Sequence, residues 1–296
     1  MDKKFYVIGM GELLWDMLPD GKQLGGAPAN FAYHAQQMGA RGGILSAVGN
    51  DSLGDEICDN IEKLNIDSLI SRVDFPTGTV AVTLKDNGIP TYDIVENVAW
   101  DMIELYDTAK KELNLVDAVC FGSLAQRHEV SRNTIEQAIN YTSKECLKVF
   151  DINLRQDFYN KEVIEKSLEL CNVLKINDEE LVILSAMFGW KGSDVEKCQF
   201  LIGHYQLEML ALTCGENGSY LFTADEQSFL ETPKVKVADT VGAGDSFTGV
   251  MIIGKLQNKP LSEIHQMAVS VSAFVCTKKG ATPSYNLNQI CDKINC

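Results

Sequence analysis

The chain has 296 residues, of which 45% are hydrophobic and 23% charged, and its net charge is −15 at pH 7. This length suffices for one large α/β domain with a smaller appendage, and the composition excludes disordered, collagen-like and low-complexity chains. The negative charge repels nucleic-acid phosphates and anionic lipid headgroups, so neither is expected as a partner. Small anions can still bind, because helix N-termini and a few placed cations create a local positive site.

The cysteines and histidines give no pattern of a metal site. Nine cysteines are scattered without a CxxC pair, and the four histidines lie far apart. We therefore expect neither zinc nor a disulfide framework, and a reducing cytoplasm is the expected location. The first apolar run ends at Gly9, which is too short for a signal peptide, and no membrane span is expected.

In chain order, short apolar runs typical of buried strands alternate with segments of helical period. We predict strands at 5–8, 43–48, 117–121, 148–152, 173–176 and 209–213, and helices near 28–38, 52–64, 129–143, 161–170 and 178–187. This alternation predicts an α/β fold with a mostly parallel sheet flanked by helices on both faces. Ligands bind such sheets beyond the carboxyl ends of the strands.

One segment departs from this alternation. Residues 79–84 alternate with period two, 85–88 contain an Asn-Gly turn and 89–95 return as a second strand, which predicts a β-hairpin. We interpret it as part of a small β-sheet lid over the site, and a solvated hairpin without function is the alternative. The expected organisation is a single domain over 1–296 with lid insertions at about 12–24 and 76–98.

The C-terminal third is expected to contain short strands at 225–237 and helices near 243–256 and 260–277. Before the first of these helices, residues 239–249 read DTVGAGDSFTG. The amides of Gly242, Ala243 and Gly244 at a helix N-terminus would form a cradle for an oxyanion or phosphate. Asp245 follows in the first turn. It either interacts with the helix dipole or deprotonates a hydroxyl that attacks phosphorus.

The segment DTVGAGD resembles the second signature of the ribokinase-like (PfkB) family of sugar kinases. Residues 25–30, which read GGAPAN and are followed by Gly39 and Gly49, resemble the first signature. Val250 departs from the family pattern, which has a small residue there, and we expect it to affect packing more than chemistry. The resemblance runs from Gly11 to Ser284 and implies a ribokinase-like fold, with ATP as co-substrate and Mg²⁺ as cofactor.

The first signature is expected at the sugar. Gly25 and Gly26 permit a close backbone approach, and Asn30 offers donors and acceptors to sugar hydroxyls. A plain strand-to-helix turn with Asn as cap is the alternative. The resemblance also places Asp16 at the sugar.

Residues 151–155 read DINLR and follow a predicted strand. Strand alternation would place Asp151, Asn153 and Arg155 on one side. The resemblance implies that Arg155 lies near the transferring phosphoryl group, where its guanidinium could neutralise charge. A surface ion pair is the alternative.

Two further motifs are expected on the nucleotide side. Asn177 and Glu180 resemble an NxxE motif that organises Mg²⁺ and phosphate, through water in the case of Glu180; a helix start with acidic residues would look the same. Thr213, Gly215 and Gly218 resemble the TxGxxG nucleotide turn, although any tight turn between strands would use two glycines.

The resemblance also implies a possible K⁺ loop. Its residues would be Asp239 and Val241 on one segment and Gly280 and Ser284 on the other. A K⁺ there could order the anion cradle without touching substrate.

Other enzyme classes lack their motifs. The chain has no GxxxxGK[ST] phosphate loop, no GxGxxG after the first strand and no GxSxG nucleophile turn. The remaining alternative is a non-catalytic sugar or nucleoside sensor, which would have no need of Asp245 beside the cradle.

The runs at 11–19, 96–101, 121–127 and 151–155 look more like the fructokinase branch of the family than like ribokinase or adenosine kinase. The expected reaction is therefore transfer of the ATP γ-phosphoryl group to D-fructose at its 6-hydroxyl, with ribose and 2-keto-3-deoxygluconate as alternatives. Trp15 and Trp100 either line the sugar site or serve packing. A homodimer through the lid is possible, because an uncovered sheet edge seeks a partner.

Overall fold

A computed structural model describes residues 4–18, 21–84, 90–287 and 290. The strands in this part of the chain are β1 (Tyr6–Met10), β2 (Leu14–Leu18), β3 (Gly21–Gly25), β4 (Arg41–Gly49), β5 (Asp67–Val73), β6 (Gly78–Leu84), β7 (Pro90–Ile94), β8 (Ala118–Phe121), β9 (Leu147–Asp151), β10 (Val173–Asn177), β11 (Met209–Thr213), β12 (Ser219–Phe222) and β13 (Gln227–Leu230). The helices are α1 (Ala27–Gln37), α2 (Ser52–Lys63), α3 (Asp107–Leu113), α4 (Glu129–Tyr141), α5 (Lys161–Leu170), α6 (Asp178–Phe188), α7 (Asp194–Tyr205), α8 (Ala243–Leu256) and α9 (Leu261–Cys276).

Nine of these strands form one large sheet in the order β13-β12-β11-β10-β9-β8-β1-β4-β5. The pairs from β5 to β11 are parallel, and β12 and β13 extend the sheet as antiparallel strands. The central strands are short, apolar and fully buried, as expected for strands that are covered on both faces. Their carboxyl ends meet along one edge, where the candidate site lies.

Helices cover both faces of the large sheet, and neighbouring residues of a strand pack into different clusters. Val7 of β1 belongs to the buried cluster that includes residues of α1, α8 and α9, whereas the next residue, Ile8, belongs to the cluster that includes residues of α3 to α7. Helix α8 lies close to α1, because a Cβ on Gly249 would be only 3.0 Å from the carbonyl oxygen of Phe31. Val250, which departs from the family pattern, is fully buried in this layer.

A second, four-stranded sheet has the order β3-β2-β6-β7. Strand β2 pairs antiparallel with β3 and parallel with β6, and β6 and β7 form the predicted antiparallel hairpin with Val80 opposite Ile94. This small sheet is the predicted β-sheet lid, and its strands lie between Leu14 and Gly25 and between Gly78 and Ile94. The predicted Asn-Gly turn at 85–88 lies outside the described residues.

The structure confirms the predicted fold class and corrects several element boundaries. The predicted strands at 225–237 are wrong for most of that range, because only Gln227–Leu230 pairs with a neighbour and the described residues 231–237 form no strand. The sequence-based prediction omits β5, β12, α3 and α7. Strand β5 mixes polar and apolar residues, since it is the sheet's edge strand.

Candidate active site

Helix α8 begins with the three small residues of the predicted anion cradle. Gly242 precedes the helix with φ of 77°, a left-handed conformation that favours glycine, and a Cβ there would lie 2.7 Å from Ala281. The amides of Gly244 and Asp245 belong to the first helical turn, whose N–H groups lack intrahelical acceptors. The amide of Ala243 donates to a carbonyl of the preceding turn. The helix start therefore presents backbone donors, although one of the three predicted amides is already engaged.

Asp245 is held beside this helix start by a residue 215 positions away in the sequence. Nδ2 of Asn30, in α1, donates a hydrogen bond of 2.8 Å to Oδ2 of Asp245. Burial raises the pKa of Asp245 to about 6, and the charge of Asp151 adds to the rise. The hydrogen bond from Asn30 and the charges of Lys175 and Arg155 act in the opposite direction. A carboxyl that titrates near neutral pH is well suited to accept a proton.

A buried ion pair lies beneath the start of α8. Nζ of Lys175 is 3.0 Å from Oδ1 of Asp151, and Oγ1 of Thr248 donates to Oδ2 of the same carboxylate at 2.8 Å. A Cβ on Gly244 would lie 3.1 Å from Nζ of Lys175. Burial alone would lower the pKa of Lys175, but Asp151 and other carboxylates raise it above its usual value. The lysine therefore stays charged and brings positive charge to the site.

Lys175 was missed in the sequence reading. The signal was present, because a charged residue in the middle of the short apolar strand β10 needs a buried partner. The identity of that partner depends on the parallel pairing of β9 with β10, which places Lys175 opposite Asp151.

A small cavity opens beside Asp245 at the carboxyl ends of β8 and β9, and its free volume of about 10 Å³ is no more than a water molecule occupies. Its walls are formed by Glu12, Ala27, Pro28, Phe31, Cys120, Phe121, Gly122, Asp151, Asn153 and Asp245. The walls are apolar except for a few polar groups, which is the usual composition of a small-molecule site. Glu12 was not predicted as a site residue, and it is only 4% exposed.

The loop after β9 corrects the predicted alternation. The strand ends at Asp151, and Asn153 adopts φ of 48°, so strand geometry does not continue to Arg155. Arg155 is exposed, and its Nη1 donates to the carbonyl oxygen of Leu154 at 3.0 Å. Its positive charge acts to lower the pKa values of Asp245 and Glu12, which burial raises. Arg155 is therefore positioned by a turn at Asn153 and not by strand alternation.

The predicted sugar residues of the lid side lie together. A Cβ on Gly25 would be 2.5 Å from Oδ2 of Asp16, and a Cβ on Gly26 would be 2.5 Å from the carbonyl oxygen of Glu12. Glycine is therefore required at both positions, because a side chain at Gly25 would overlap Asp16 in β2 and one at Gly26 would overlap the backbone of Glu12. Burial raises the pKa of Asp16, and the charge of Arg155 opposes this rise.

The two tryptophans considered as walls of the sugar site are packing residues. Trp15 is buried, and its Nε1 donates to the carbonyl oxygen of Leu53 at 3.1 Å. Trp100 is fully buried and stacks against Arg127, whose guanidinium carbon is 3.9 Å from the ring centre. Neither residue lines the cavity beside Asp245.

Asn177 and Glu180 form a reciprocal capping box at the start of α6. Oδ1 of Asn177 accepts from the amide of Glu180 at 2.7 Å, and Oε2 of Glu180 accepts from the amide of Asn177 at 2.9 Å. Oε1 of Glu180 accepts from the amide of Leu154 in the loop after β9. Burial raises the pKa of Glu180, while the charge of Lys175 opposes the rise. The motif therefore caps the N-terminus of α6.

The predicted nucleotide turn connects β11 and β12. Thr213 ends β11, Gly215 begins a short 3-10 turn, and the amide of Cys214 donates to the carbonyl oxygen of Gly218. Gly218 has φ of 102°, and a Cβ there would lie 2.5 Å from the carbonyl oxygen of Leu230. This turn is formed by backbone geometry, and it presents exposed residues around Gly215.

Three of the four residues of the possible K⁺ loop lie together. Oδ1 of Asp239 accepts from the amide of Val241 and Oδ2 accepts from the amide of Gly280, each at 3.1 Å. Ser284 is exposed, and the structure shows no side-chain contact that joins it to this group among the described residues. The loop is also anchored to α1, because Nε2 of buried His34 donates to the carbonyl oxygen of Ala281 at 2.8 Å.

Within the described ranges, no group of three or more histidine, cysteine, aspartate and glutamate side chains is placed to hold a metal ion. The helices of the same ranges include none with the length and apolarity that a membrane crossing requires.

Comparison with known proteins agrees with the resemblance found in the sequence. The family model described as pfkB family carbohydrate kinase matches residues 20–287. The probable fructokinase-2 of Arabidopsis thaliana is 28% identical over 313 residues, which cover 96% of this chain and 93% of the relative.

Two solved structures have the same fold. The structure of an uncharacterized sugar kinase from Pyrococcus horikoshii in complex with ATP has a TM-score of 0.83 and 28% identity, and 97% of each chain is covered. A double-mutant fructokinase from Vibrio cholerae O395, solved with fructose, ADP and potassium ion, has a TM-score of 0.82 and 22% identity over 99% of each chain. The second likeness is evidence of fold alone.

Proposed function

The chain belongs to the pfkB family of carbohydrate kinases, which transfer a phosphoryl group to a sugar hydroxyl, and we propose that its acceptor is D-fructose, phosphorylated at the 6-hydroxyl with ATP as donor. The observation that carries the proposal is the position of Asp245. This carboxyl lies in the first turn of α8, beside backbone donors, and faces a cavity at the carboxyl edge of the sheet. A base next to an anion cradle is what in-line transfer to a hydroxyl requires.

In the proposed reaction, Asp245 accepts the proton of the attacking hydroxyl as its oxygen bonds to the γ-phosphorus. The bond between that phosphorus and the β-γ bridging oxygen breaks, and ADP leaves. The amides of Gly242 and Gly244 and the guanidinium of Arg155 would stabilise negative charge on the transferring group, whereas the amide of Ala243 donates to Thr240. Lys175 adds buried positive charge beneath Gly244.

The residues proposed to contact the sugar are Asp16, Gly25, Gly26 and Asn30. We call these four, together with Glu12 and Asp245, the acceptor end.

The residues proposed to lie near ATP are Asn177, Thr213, Gly215 and Gly218. We call the last three of them the nucleotide end.

Glu180 fits a Mg²⁺ site that is mediated by water. Each of its carboxylate oxygens already accepts one backbone amide, so it has lone pairs for water but is not free to turn toward a metal. Mg²⁺ usually keeps several waters and few protein carboxylates. When bound with ATP, Mg²⁺ would neutralise charge on the phosphates.

A K⁺ site at Asp239, Val241 and Gly280 is supported by the meeting of the two loops there. The packing of Gly242 against Ala281 would transmit the order of that loop to the anion cradle. Ser284 is retained as a proposed ligand through its backbone or side chain.

Fructose is proposed from the fructokinase-like motifs and from the fructokinase relative. Ribose and 2-keto-3-deoxygluconate remain the competing acceptors, because specificity among polyols depends on a few hydrogen bonds. The competing class is a sugar or nucleoside sensor that binds without transfer.

The test is ADP release from Mg-ATP with fructose, ribose, 2-keto-3-deoxygluconate, glucose and adenosine, each with and without K⁺. Fructose as the best acceptor supports the proposal, and another sugar would retain the mechanism but overturn the specificity. Tight binding of a sugar without ADP release would support the sensor. Faster turnover in K⁺ than in Na⁺ at equal ionic strength would support the proposed cation loop.

A homodimer through the small sheet and a cytoplasmic location complete the proposal. Strands β3 and β7 are the edges of that sheet, and sheet edges pair readily with a second chain. Light scattering should then give twice the chain mass of 32.7 kDa. The cytoplasmic location is proposed from the sequence, whose nine cysteines are scattered without a CxxC pair.

A further inference from the structure

Glu12 is a second carboxyl group on the wall of the cavity that Asp245 faces. It lies in the connection between β1 and β2, and Ala27, Pro28 and Phe31 of the α1 segment line the same space. The side chain is buried, and among the residues that the structure describes no atom forms a hydrogen bond with its Oε2. A buried polar atom without a partner costs about 1–3 kcal/mol, so its presence in a ligand cavity indicates a missing partner.

No cation contacts Glu12 within the described residues, since none of the ion pairs there includes it. The charged groups near it are Asp245, Arg155 on the loop after β9, and Asp151, which lines the same cavity and is paired with Lys175. The thiol of Cys120 faces both carboxyls from β8. Two ionised carboxylates around one small apolar cavity would repel each other, so one of the two is expected to hold a proton.

Glu12 is the better candidate for the protonated group. Asp245 is held by a donor, Nδ2 of Asn30, which favours its charged form. Burial raises the pKa of Glu12 to about 7, and the charge of Asp245 adds to the rise, while Arg155 and the backbone amides of Glu12 and Ala27 oppose it. Pairs of carboxyls whose environments differ in this way commonly divide the roles of base and hydrogen-bond donor.

We propose that Glu12 is a catalytic residue of the acceptor end, which donates a hydrogen bond from its protonated carboxyl to a second oxygen of the sugar while Asp245 deprotonates the attacking hydroxyl. Glu12 keeps its proton throughout, so the only proton transferred is the one that moves from the sugar hydroxyl to Asp245. The proposal rests on the proposed function, and it adds that the acceptor must carry an oxygen with a free lone pair near the attacking hydroxyl.

The test is the pH dependence of kcat/KM for the best acceptor, measured from pH 5 to 9 in the wild type and in Glu12→Gln and Glu12→Ala. In the wild type, activity should rise as Asp245 ionises and fall as Glu12 loses its proton. Glu12→Gln cannot ionise but still donates from its amide, so the alkaline decrease should disappear while activity at pH 6 stays within about threefold of wild type. Glu12→Ala has no donor and should lose about tenfold or more at pH 6.

Cys120→Ala supplies the matched control, because it removes a titratable group of the same cavity wall that is not one of the three carboxyls there, Glu12, Asp151 and Asp245. This variant should keep the alkaline decrease. Any decrease caused by titration of Mg-ATP is common to all four proteins and cancels in the comparison. Melting curves without ligand identify a variant that fails to fold. If Glu12→Ala fails to fold, the pH profile of Glu12→Gln decides whether the proposal holds, because glutamine has nearly the same shape as glutamate.

Identical pH profiles for the wild type and Glu12→Gln would overturn the role of Glu12. A loss above 100-fold in Glu12→Gln at pH 6 would also overturn it, since the ionised carboxylate would then be the required form. Unchanged kcat/KM in Glu12→Ala would show that the sugar makes no such contact. A wild-type protein that turns over no sugar would overturn the proposed function as well, and this outcome is distinct from turnover with an unchanged profile.

Discussion

At the acceptor end of the site, side-chain contacts hold the functional groups, since Asn30 donates a hydrogen bond to Asp245 and Glu12 is buried nearby. The ion pair of Lys175 and Asp151 lies next to this end, beneath the start of α8. At the nucleotide end, the turn from Thr213 to Gly218 is held by backbone hydrogen bonds and by glycine conformations. The first region therefore depends on charge, burial and pKa, and the second depends on φ angles and on space for the backbone.

This contrast has a chemical reason. A proton acceptor must be desolvated and positioned, so its charge has to be balanced by buried neighbours. A surface that binds the phosphates or the planar base of a nucleotide needs backbone amides and a close approach of the backbone to the ligand. Tight turns with glycine provide both. Substitutions that change only charge should thus damage the acceptor end and leave the nucleotide end intact. An added Cβ should damage the nucleotide end, and it should also damage the acceptor end at Gly25 and Gly26, where the backbone approaches closely.

The largest effect is expected for Asp245→Asn. Loss of a general base typically lowers the rate by about 10²–10⁴-fold, so kcat should fall by that factor while sugar binding measured by calorimetry is retained. Glu216→Gln, which removes an exposed carboxylate from the turn at the nucleotide end, is the matched control and should change kcat by less than about threefold. More than about a tenth of wild-type kcat in Asp245→Asn would show that another group is the base.

The buried ion pair should give the next largest effect, on stability. Lys175→Met leaves the carboxylate of Asp151 buried without its cation, and breaking such a pair costs about 3–5 kcal/mol of the free energy of unfolding. Urea denaturation measures this change. Lys110→Met removes the cation of an exposed pair of nearly the same length, 3.1 Å, and should cost less than about 1 kcal/mol. Similar costs for both variants would mean that the Lys175 pair is solvated.

The pKa of Glu12 gives a stability test with a defined sign. Its pKa rises from 4.5 to about 7 on folding, so the folded state binds the proton more tightly and the resulting stabilisation is lost as pH rises through 7. Relative to Glu12→Gln, the wild type should lose about 3 kcal/mol of unfolding free energy between pH 4 and pH 8. A difference that does not change with pH would contradict the raised pKa.

The smallest effect of the series tests the backbone of the nucleotide end. Gly218→Ala places a Cβ 2.5 Å from the carbonyl oxygen of Leu230 in a left-handed conformation, which should cost about 1–3 kcal/mol and raise the KM for ATP more than the KM for sugar. Gly203→Ala is the control: this residue lies inside α7 with no described neighbour within 4 Å of its Cβ position, so the change should stabilise by up to about 1 kcal/mol. Equal ATP affinity in both variants would remove the turn from the nucleotide site.

Much of the fold could be predicted from the sequence, because buried parallel strands and amphipathic helices leave local patterns. Helices α8 and α9 were placed to within one residue. Strand β5 was missed because an edge strand carries polar residues. The range 225–237 was overpredicted because strand propensity does not reveal whether a segment has a neighbour to pair with.

By itself, the sequence determined the family and predicted the anion cradle and the role of Asp245, since glycine turns and the first turn of a helix are local features with local signatures. Only the tertiary structure decided the charge balance around that carboxyl. Asn30 donates to Asp245, which is 215 residues away in the sequence, and the pairing of β9 with β10 places Lys175 opposite Asp151. Glu12, between β1 and β2, is buried next to residues of α1. The pKa of a buried carboxyl depends on its desolvation and on nearby charges, and these are set by contacts between segments that are distant in the sequence. A local sequence pattern does not reveal such contacts.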